Sequence, residues 1–380
     1  MNEKPTPVKK VLILQRAIPN YRLPLFQALC ALKDIEITIG CAEFDAATTT
    51  GIAADNYKGV RLKKLKVHKL GGKLLFQSIT SLKGYDLVIT DISINLLSVP
   101  VYLFLCWIKG IKVIGWGKGL PQLLNVKESG LVKAYKKIYL RRFDTFLLYG
   151  HISKKYFEEI GLGYKPLFIA QNSVDIEKFF TGFNDNTTAA AQLKEEMKLS
   201  DKFVFSYFGK LTPRKEVHKI IEAFRIVKAT HPQAFLLIAG NGADRNRLEQ
   251  LSADLVSEGS LKFMGQVQNG KEGTVLHLMD AYLSFSQGGL GMLEAMATAR
   301  TIVSTPEVFP ETELLQNNYN CFLSDDFSIN AFAEAMNKAI TQKEQAKEMG
   351  RNAMQTVKEK AGTSVMVKAF TDAINYTLSK

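Results

Sequence analysis

In the second half of the chain, glycines, lysines and one glutamate are spaced in a way that could hold a phosphate. In SFSQGGLGMLEAMATARTIVSTPEVFPE, residues 284–311, a strand-like run ending at Phe285 meets Gly288, Gly289 and Gly291, and the strongly helix-forming stretch from Met292 to Ala299 follows. Glycines let the main chain approach a ligand closely, and the N–H groups opening a helix favour an anion. Glu294 stands one turn in, where a carboxylate can reach a ribose hydroxyl pair. Taken alone, such a turn has a purely structural reading as well. FGKLTPRKEVHKIIEAF, residues 208–224, puts Lys210 just beyond a strand and Lys215 near the start of a helix, and two ammonium groups there could stabilise a departing diphosphate. Each lysine singly could equally be a surface solubiliser. LLIAGNGADRNRL then adds a Gly-Asn-Gly turn, beginning at Gly240, between another strand and helix.

The elements that must position these residues are short β-branched or leucine-rich runs alternating with helical patterns. The first half offers VLILQ, IEITIG, DLVITD, KVIGW, TFLLYG and LFIA; the second offers KFVFSYFGK, AFLLIAG, LKFMG, AYLSFS, TIVSTP and NCFLS. Alternation of this kind predicts parallel sheets with helices on both faces, an α/β class built twice. The polar segment TGFNDNTT, residues 181–188, reads as the connection, which gives an N-terminal domain over 1–180 and a second over 189–360. The last segment, 361–380, carries an amphipathic helix with no strand after it, expected to pack back across the first domain. Tandem open α/β domains place a ligand cleft between the carboxyl ends of their strands.

A chain of 380 residues exceeds what one hydrophobic core supports, in keeping with two domains, and its 46% hydrophobic and 23% charged content is that of a soluble globular protein. Its four cysteines form no C-x-x-C pair, which argues against a disulfide framework or thiolate metal site and for a reducing compartment. The apolar run 11–14 is too short for the core of a signal peptide and reads as a first buried strand. Residues 96–108 are the most hydrophobic stretch, yet contain Pro100 and fall short of the ~20 residues that span a bilayer. They read as a buried helix, with a helix lying in the membrane plane as the alternative. Net charge is +12, but residues 1–180 hold 27 Lys and Arg against 14 Asp and Glu, and the remainder 22 against 23. A phosphate-bearing partner such as anionic lipid fits this asymmetry, as does a solvated lysine-rich face. In LVKAYKKIYLRR, residues 131–142, Leu131, Tyr135, Ile138 and Tyr139 can share a helical face while lysines crowd the other, and RLKKLKVHKLGGK, residues 61–73, adds further charge. The basic segments lack regular aromatic interleaving, so nucleic acid is not the expected partner.

In order along the chain, G-K-L-x-x-x-K at 209–215, LLIAGNG at 236–242, LKFMGQV at 261–267, GLGMLEAMA at 289–297 and P-E at 310–311 resemble the GT-B glycosyltransferases, specifically the retaining family 4. IPNYRLPLFQAL, GWGKG, YGHISKKYFEEIG and NSVD look like first-domain segments of a bacterial surface-polysaccharide branch of that family. The resemblance implies two Rossmann-like domains facing each other across a cleft, the first for the acceptor and the second for the nucleotide-sugar. It makes Lys210, in a place usually held by Arg, and Lys215 the diphosphate ligands, with Gly209 and Gly240 beside them. Gly288, Gly289 and the N–H groups of Leu290 and Gly291 would meet the phosphate. Glu294 would bind the ribose, and Gly265 to Val267 would lie against the base. One departure stands out: the family's E-x(7)-E pattern has an earlier glutamate touching the donor sugar, and here that position is Ser286, with Gln287 next. Lys118 in GWGKG stands where related sequences often carry histidine near the transferred sugar, and His151 follows a strand that could face the cleft. Arg22, beside the helix that Pro24 would start, could bind acceptor phosphate or sit in solvent.

The activity implied is retaining transfer of a sugar from a UDP- or GDP-sugar to a glycan or lipid-linked acceptor, without a metal or other cofactor, in bacterial cell-surface polysaccharide or lipopolysaccharide assembly. Lys215, Lys210 and Lys118 are the candidate catalytic groups. The setting expected is cytoplasmic, peripheral on the anionic inner face of the plasma membrane. Two rival readings are a nucleotide-sugar-binding protein without catalysis and a GT-B nucleotide-sugar epimerase.

Overall fold

A computed structural model of the chain describes residues 8–42, 57–72, 74–120, 130–173, 175–176, 187–267, 272–286, 288–306 and 309–380. It divides into two compact units, one made of residues 1–173 with 363–380 and the other of 174–362. The expected boundary at 189 falls inside the helix Thr187–Glu196, whose alanines and glutamates carry the helix through that position. Residues 177–186, and most of the anticipated connection with them, lie outside the described residues.

Unit 1 holds the strands β1 Lys9–Ala17, β2 Ile35–Ala42, β3 Leu62–Lys64, β4 Val67–Gly71, β5 Leu74–Gln77, β6 Leu87–Asp91, β7 Lys112–Gly117, β8 Thr145–Leu148 and β9 Leu167–Ile169. Seven pair in the order β3-β2-β1-β6-β7-β8-β9, all parallel, while β4 and β5 form a separate antiparallel hairpin. Alternation along β1 shows why both faces are covered: Val11 and Ile13 enter one core and Leu12 and Leu14 the other. The helices Leu23–Cys30 and Thr363–Leu378 close the first face through Leu25, Phe26, Phe370 and Ile374. Ser98–Lys109, Gly130–Leu140 and His151–Glu159 close the second through Tyr102, Tyr139 and Phe157.

Unit 2 holds β10 Phe203–Phe208, β11 Ala234–Ala239, β12 Leu261–Gly265, β13 Ala281–Ser284, β14 Thr301–Ser304 and β15 Cys321–Leu323. They pair in the order β12-β11-β10-β13-β14-β15, again all parallel. Both units are thus Rossmann-like sheets, as the alternation predicted. No helix among the described residues is long and apolar enough to cross a membrane.

The reading of 96–108 as a buried helix needs correction. Ser98–Lys109 buries Val99, Tyr102, Leu103 and Cys106, but Val101, Phe104, Trp107 and Ile108 face outward. A helix laid on one face of a sheet can bury only one side, whatever its composition. The shared face expected over 131–142 is also split: Tyr139 is buried while Tyr135 and Ile138 are exposed, and the side chain of Leu131 lies outside the described residues.

Candidate functional site

In the sheet of unit 2 the strand order reverses between β10 and β13: the chain moves outward one way from β10 through β11 to β12, then the other way from β13. Connections therefore depart to opposite sides beyond those two strands, which leaves an opening at their carboxyl ends where open α/β sheets bind ligands. The glycine-bearing segments of the sequence meet there. Gly209 extends β10 by donating its N–H to Ala239 O (2.9 Å), and Gly240 extends β11 by donating to Gly265 O (2.7 Å). Leu211 N–H donates to Asn241 O and Asp244 N–H to Leu211 O, so the loops after β10 and β11 are stitched together. A Cβ on Gly240 would sit 1.8 Å from Gly209 O, so only glycine permits this approach.

The helix Gly289–Ala297 begins at the same edge, directly after β13. A Cβ on Gly291 would stand 2.1 Å from Phe208 O, so the first turn of the helix lies against the last residue of β10. Tyr282 reinforces the junction: its hydroxyl donates to Phe208 O (3.2 Å) and reaches Gly288 O (3.5 Å). Burial holds that phenol well above its ordinary pKa, so it remains a neutral donor. Leu290 and Val267 turn their side chains onto the core beneath this helix, alongside Met292 and Leu293. Glu294 is half-buried one turn in, with Oε2 shielded from solvent.

Lys215 reaches the helix start from the loop after β10. It closes the short 3₁₀ turn Pro213–Lys215, and its Nζ lies 3.0 Å from where a Cβ on Gly289 would be. An ammonium beside the N–H groups that open a helix joins a full charge to a dipole of the same sign, a combination suited to an anion. Ser286, nine-tenths and more buried, does not point outward as a sugar-binding carboxylate would. Its hydroxyl donates to Arg214 O (2.9 Å) and so ties the end of β13 to the loop that carries Lys215. The structure thus brings together Gly209, Gly240, Gly265, Gly289, Gly291 and Lys215. Lys210 is at the same edge by its backbone, whose carbonyl accepts from Tyr207 OH (3.1 Å), and its side chain is exposed. Gln287 lies outside the described residues.

Unit 1 has a polar cluster of its own at the carboxyl ends of β1, β6, β7 and β8. Arg22 Nη1 donates to Gln15 Oε1 (2.8 Å) and Nη2 to the Tyr149 hydroxyl, while the guanidinium lies 4.5 Å from the centroid of the Trp116 ring. Burial works against the charge on Arg22, but Tyr149, Tyr21 and Asp91 more than offset it, and the guanidinium stays protonated. Tyr149 itself is pushed up to about 12, chiefly by burial. Arg22 is therefore not a freely solvated side chain: it is half-buried and stacks within an aromatic cage. Lys118 is half-buried just past β7, and His151 is the exposed first residue of the helix His151–Glu159. The sequence reading missed Gln15, Asp91, Tyr149 and Tyr282. Their one common signal is position within a residue or two of a strand's carboxyl end, or, for Tyr282, a polar group inside a core strand.

Residues 190–356 match the family model described as glycosyl transferases group 1. An uncharacterised glycosyltransferase of Methanocaldococcus jannaschii is 26% identical over 243 residues, covering 63% of this chain and 60% of that protein. The poly(ribitol-phosphate) alpha-N-acetylglucosaminyltransferase of Staphylococcus aureus is 22% identical, covering 54% and 41%. The chain thus spans about half the length of the curated relatives it matches. Among solved structures, HepE of Anabaena in complex with UDP has a TM-score of 0.73 at 15% identity, covering 97% of this chain and 100% of that one. Residues 190–356, just under half of the chain, therefore resemble the glycosyl transferases group 1 family, and the two Rossmann-like sheets have the fold of the GT-B glycosyltransferases.

Proposed function

We propose that the protein is a glycosyltransferase that moves a sugar from a nucleotide-diphosphate donor to a glycan or lipid-linked acceptor, with retention of configuration. The observation that carries this reading is the approach of Lys215 Nζ to Gly289 at the start of the helix Gly289–Ala297. A leaving diphosphate gains negative charge as its bond to the sugar breaks, and charge that develops in the transition state is best met by fixed donors already in place. Lys215, Lys210 and the amides of Leu290 and Gly291 would supply that compensation without a metal, and Glu294 would hold the ribose. The acceptor hydroxyl forms the new bond to the anomeric carbon on the face the diphosphate leaves, and its proton passes to the departing diphosphate oxygen as the old bond breaks. HepE and a Staphylococcus aureus protein of the same fold were solved with UDP, which makes UDP the first donor base to test. The staphylococcal relative acts on a poly(ribitol-phosphate), and this supports a bacterial surface polymer as acceptor class. The positive excess of residues 1–180 supports work at the inner, anionic face of the plasma membrane.

Lys215→Ala is the direct test. Turnover measured as release of UDP from a UDP-sugar in the presence of acceptor is expected to fall by roughly two to three orders of magnitude, with the melting temperature unchanged. Near-normal turnover would remove Lys215 from its role. Isomerisation of the donor without acceptor would mark an epimerase, and binding without turnover a non-catalytic protein.

A further inference from the structure

The helix Ser98–Lys109 is apolar around its whole circumference, and unit 1 covers only half of it. Val101, Phe104 and Ile108 recur at three- and four-residue intervals along the uncovered side, with Trp107 beside them, and their exposures are 37, 56, 60 and 73%. The rings of Phe104 and Trp107 stand 6.2 Å apart. A contiguous stripe of this kind facing water marks an interaction surface.

Its neighbours are the two basic segments. The β4–β5 hairpin is joined to the start of the helix through Leu97 N–H to Leu75 O (2.8 Å) and Leu75 N–H to Asn95 O (2.9 Å), and it reaches β1 through Gln77 Nε2 to Gln15 O (2.6 Å). On the far side, Gly130–Leu140 packs Tyr139 and Leu140 into the core that also takes Tyr102 and Leu103, and leaves Tyr135 and Ile138 exposed. Residues 61–77, 98–109 and 130–142 together hold no carboxylate and twelve lysines and arginines, of which Lys73 and the side chain of Lys133 lie outside the described residues. Arg141 and Arg142 are both exposed. The face therefore has an apolar centre between two cationic borders.

We propose that this face of unit 1 docks on an anionic lipid bilayer, with Phe104, Trp107 and Ile108 entering the headgroup region and the hairpin and Gly130–Arg142 segments against the lipid phosphates. Tryptophan and aliphatic side chains flanked by cations are what such an interface takes. A second copy of the chain would bring like-charged borders together, and a phosphodiester chain offers nothing to solvate the aliphatic centre. The inference rests on the membrane reading above and names the surface that serves it.

The test uses the full chain with vesicles of phosphatidylcholine alone or mixed with phosphatidylglycerol. Of the two tryptophans, Trp116 is 2% exposed, so a change of emission reports Trp107. Mixed vesicles are expected to shift that emission to the blue and to pellet the protein at low salt. The pairs F104S/W107S and R141E/R142E, all at exposed positions, should each lower partitioning by about ten-fold or more with melting temperatures unchanged. Binding that neither pair weakens would overturn this face and leave the membrane reading standing. No binding of the wild-type chain to mixed vesicles would overturn both, as would self-association or capture of a single-stranded oligonucleotide that F104S/W107S abolishes when vesicles do not bind.

Discussion

Ser286 shows how one residue can change the sense of a motif. Family resemblance expects a carboxylate there, aimed at the donor sugar; the chain has a hydroxyl, turned inward and donated to Arg214 O. Its effect on a ligand would then be indirect, through the loop that brings Lys215 to Gly289. Ser286→Ala should remove one buried hydrogen bond, worth ~1 kcal/mol, and so loosen that loop. With UDP as the proposed donor base, its affinity by calorimetry is expected to drop by about three- to ten-fold, since each 1.4 kcal/mol is tenfold. An unchanged affinity would show that the loop is fixed by other means. Ser286→Glu is not expected to restore the family pattern, because a carboxylate at a site 3% exposed must be desolvated or displace Arg214; loss of stability is the expected result.

At the scale of elements, the loop after β11 must hold Gly240 against Gly209 while the helix Arg245–Leu251 starts three residues beyond Gly242. Asp244 anchors that start. Its oxygens accept from Arg247 Nε (2.7 Å) and Nη2 (3.0 Å), and this pairing, with His218 nearby, holds the carboxyl below the usual range. A depressed folded pKa means stability that is present above the unfolded value and is lost as pH falls through the folded one. Asp244→Asn should therefore cost ~0.5–1 kcal/mol at neutral pH, modest because Arg247 is half exposed and screened, and the deficit should close in acid. Urea unfolding of both proteins across that range checks the sign; a deficit that persists unchanged into strong acid would mean that shape, not charge, is responsible. Strands of this kind were legible because β-branched runs fully buried on two faces leave a continuous apolar signature: every run proposed became a strand of one of the two sheets. The exceptions are instructive. β3, β4 and β5 lie within or beside RLKKLKVHKLGGK, whose charges hide strands that face solvent on an edge or in a hairpin. In the site, glycine spacing marked where backbones meet, but it could not show the bond from Tyr282 to Phe208 or the aromatic cage of Trp116 and Tyr149 around Arg22, because those partnerships join residues far apart in the chain.

At the scale of the whole molecule, unit 1 is built from two separate lengths of chain, with all of unit 2 between them. The second length, Thr363–Leu378, is not an appendage. It fills the core above β7 and β8 with Met366, Phe370, Ala373 and Ile374, and Thr377 donates to Thr145 Oγ1 (2.8 Å) at the first residue of β8. Phe370 meets the Trp116 ring edge to face at 4.8 Å, beneath the cage that holds Arg22. Unit 1 therefore cannot complete its core until the last residues are in place. Phe370→Ala should open a cavity under Trp116 and cost ~3–5 kcal/mol. Both tryptophans belong to unit 1, so their emission follows that unit alone, whereas far-UV circular dichroism follows the helices of both. The urea midpoint by tryptophan emission is expected to move down in the variant, and the dichroism curve to gain an early step of its own. Under the proposed donor site at the glycine-lined edge of unit 2, a rise in melting temperature with UDP is expected for the wild-type chain and should survive in the variant. If the emission midpoint stays where it is, the terminal helix is only covering the sheet, and the core of unit 1 is held by its first 173 residues without it.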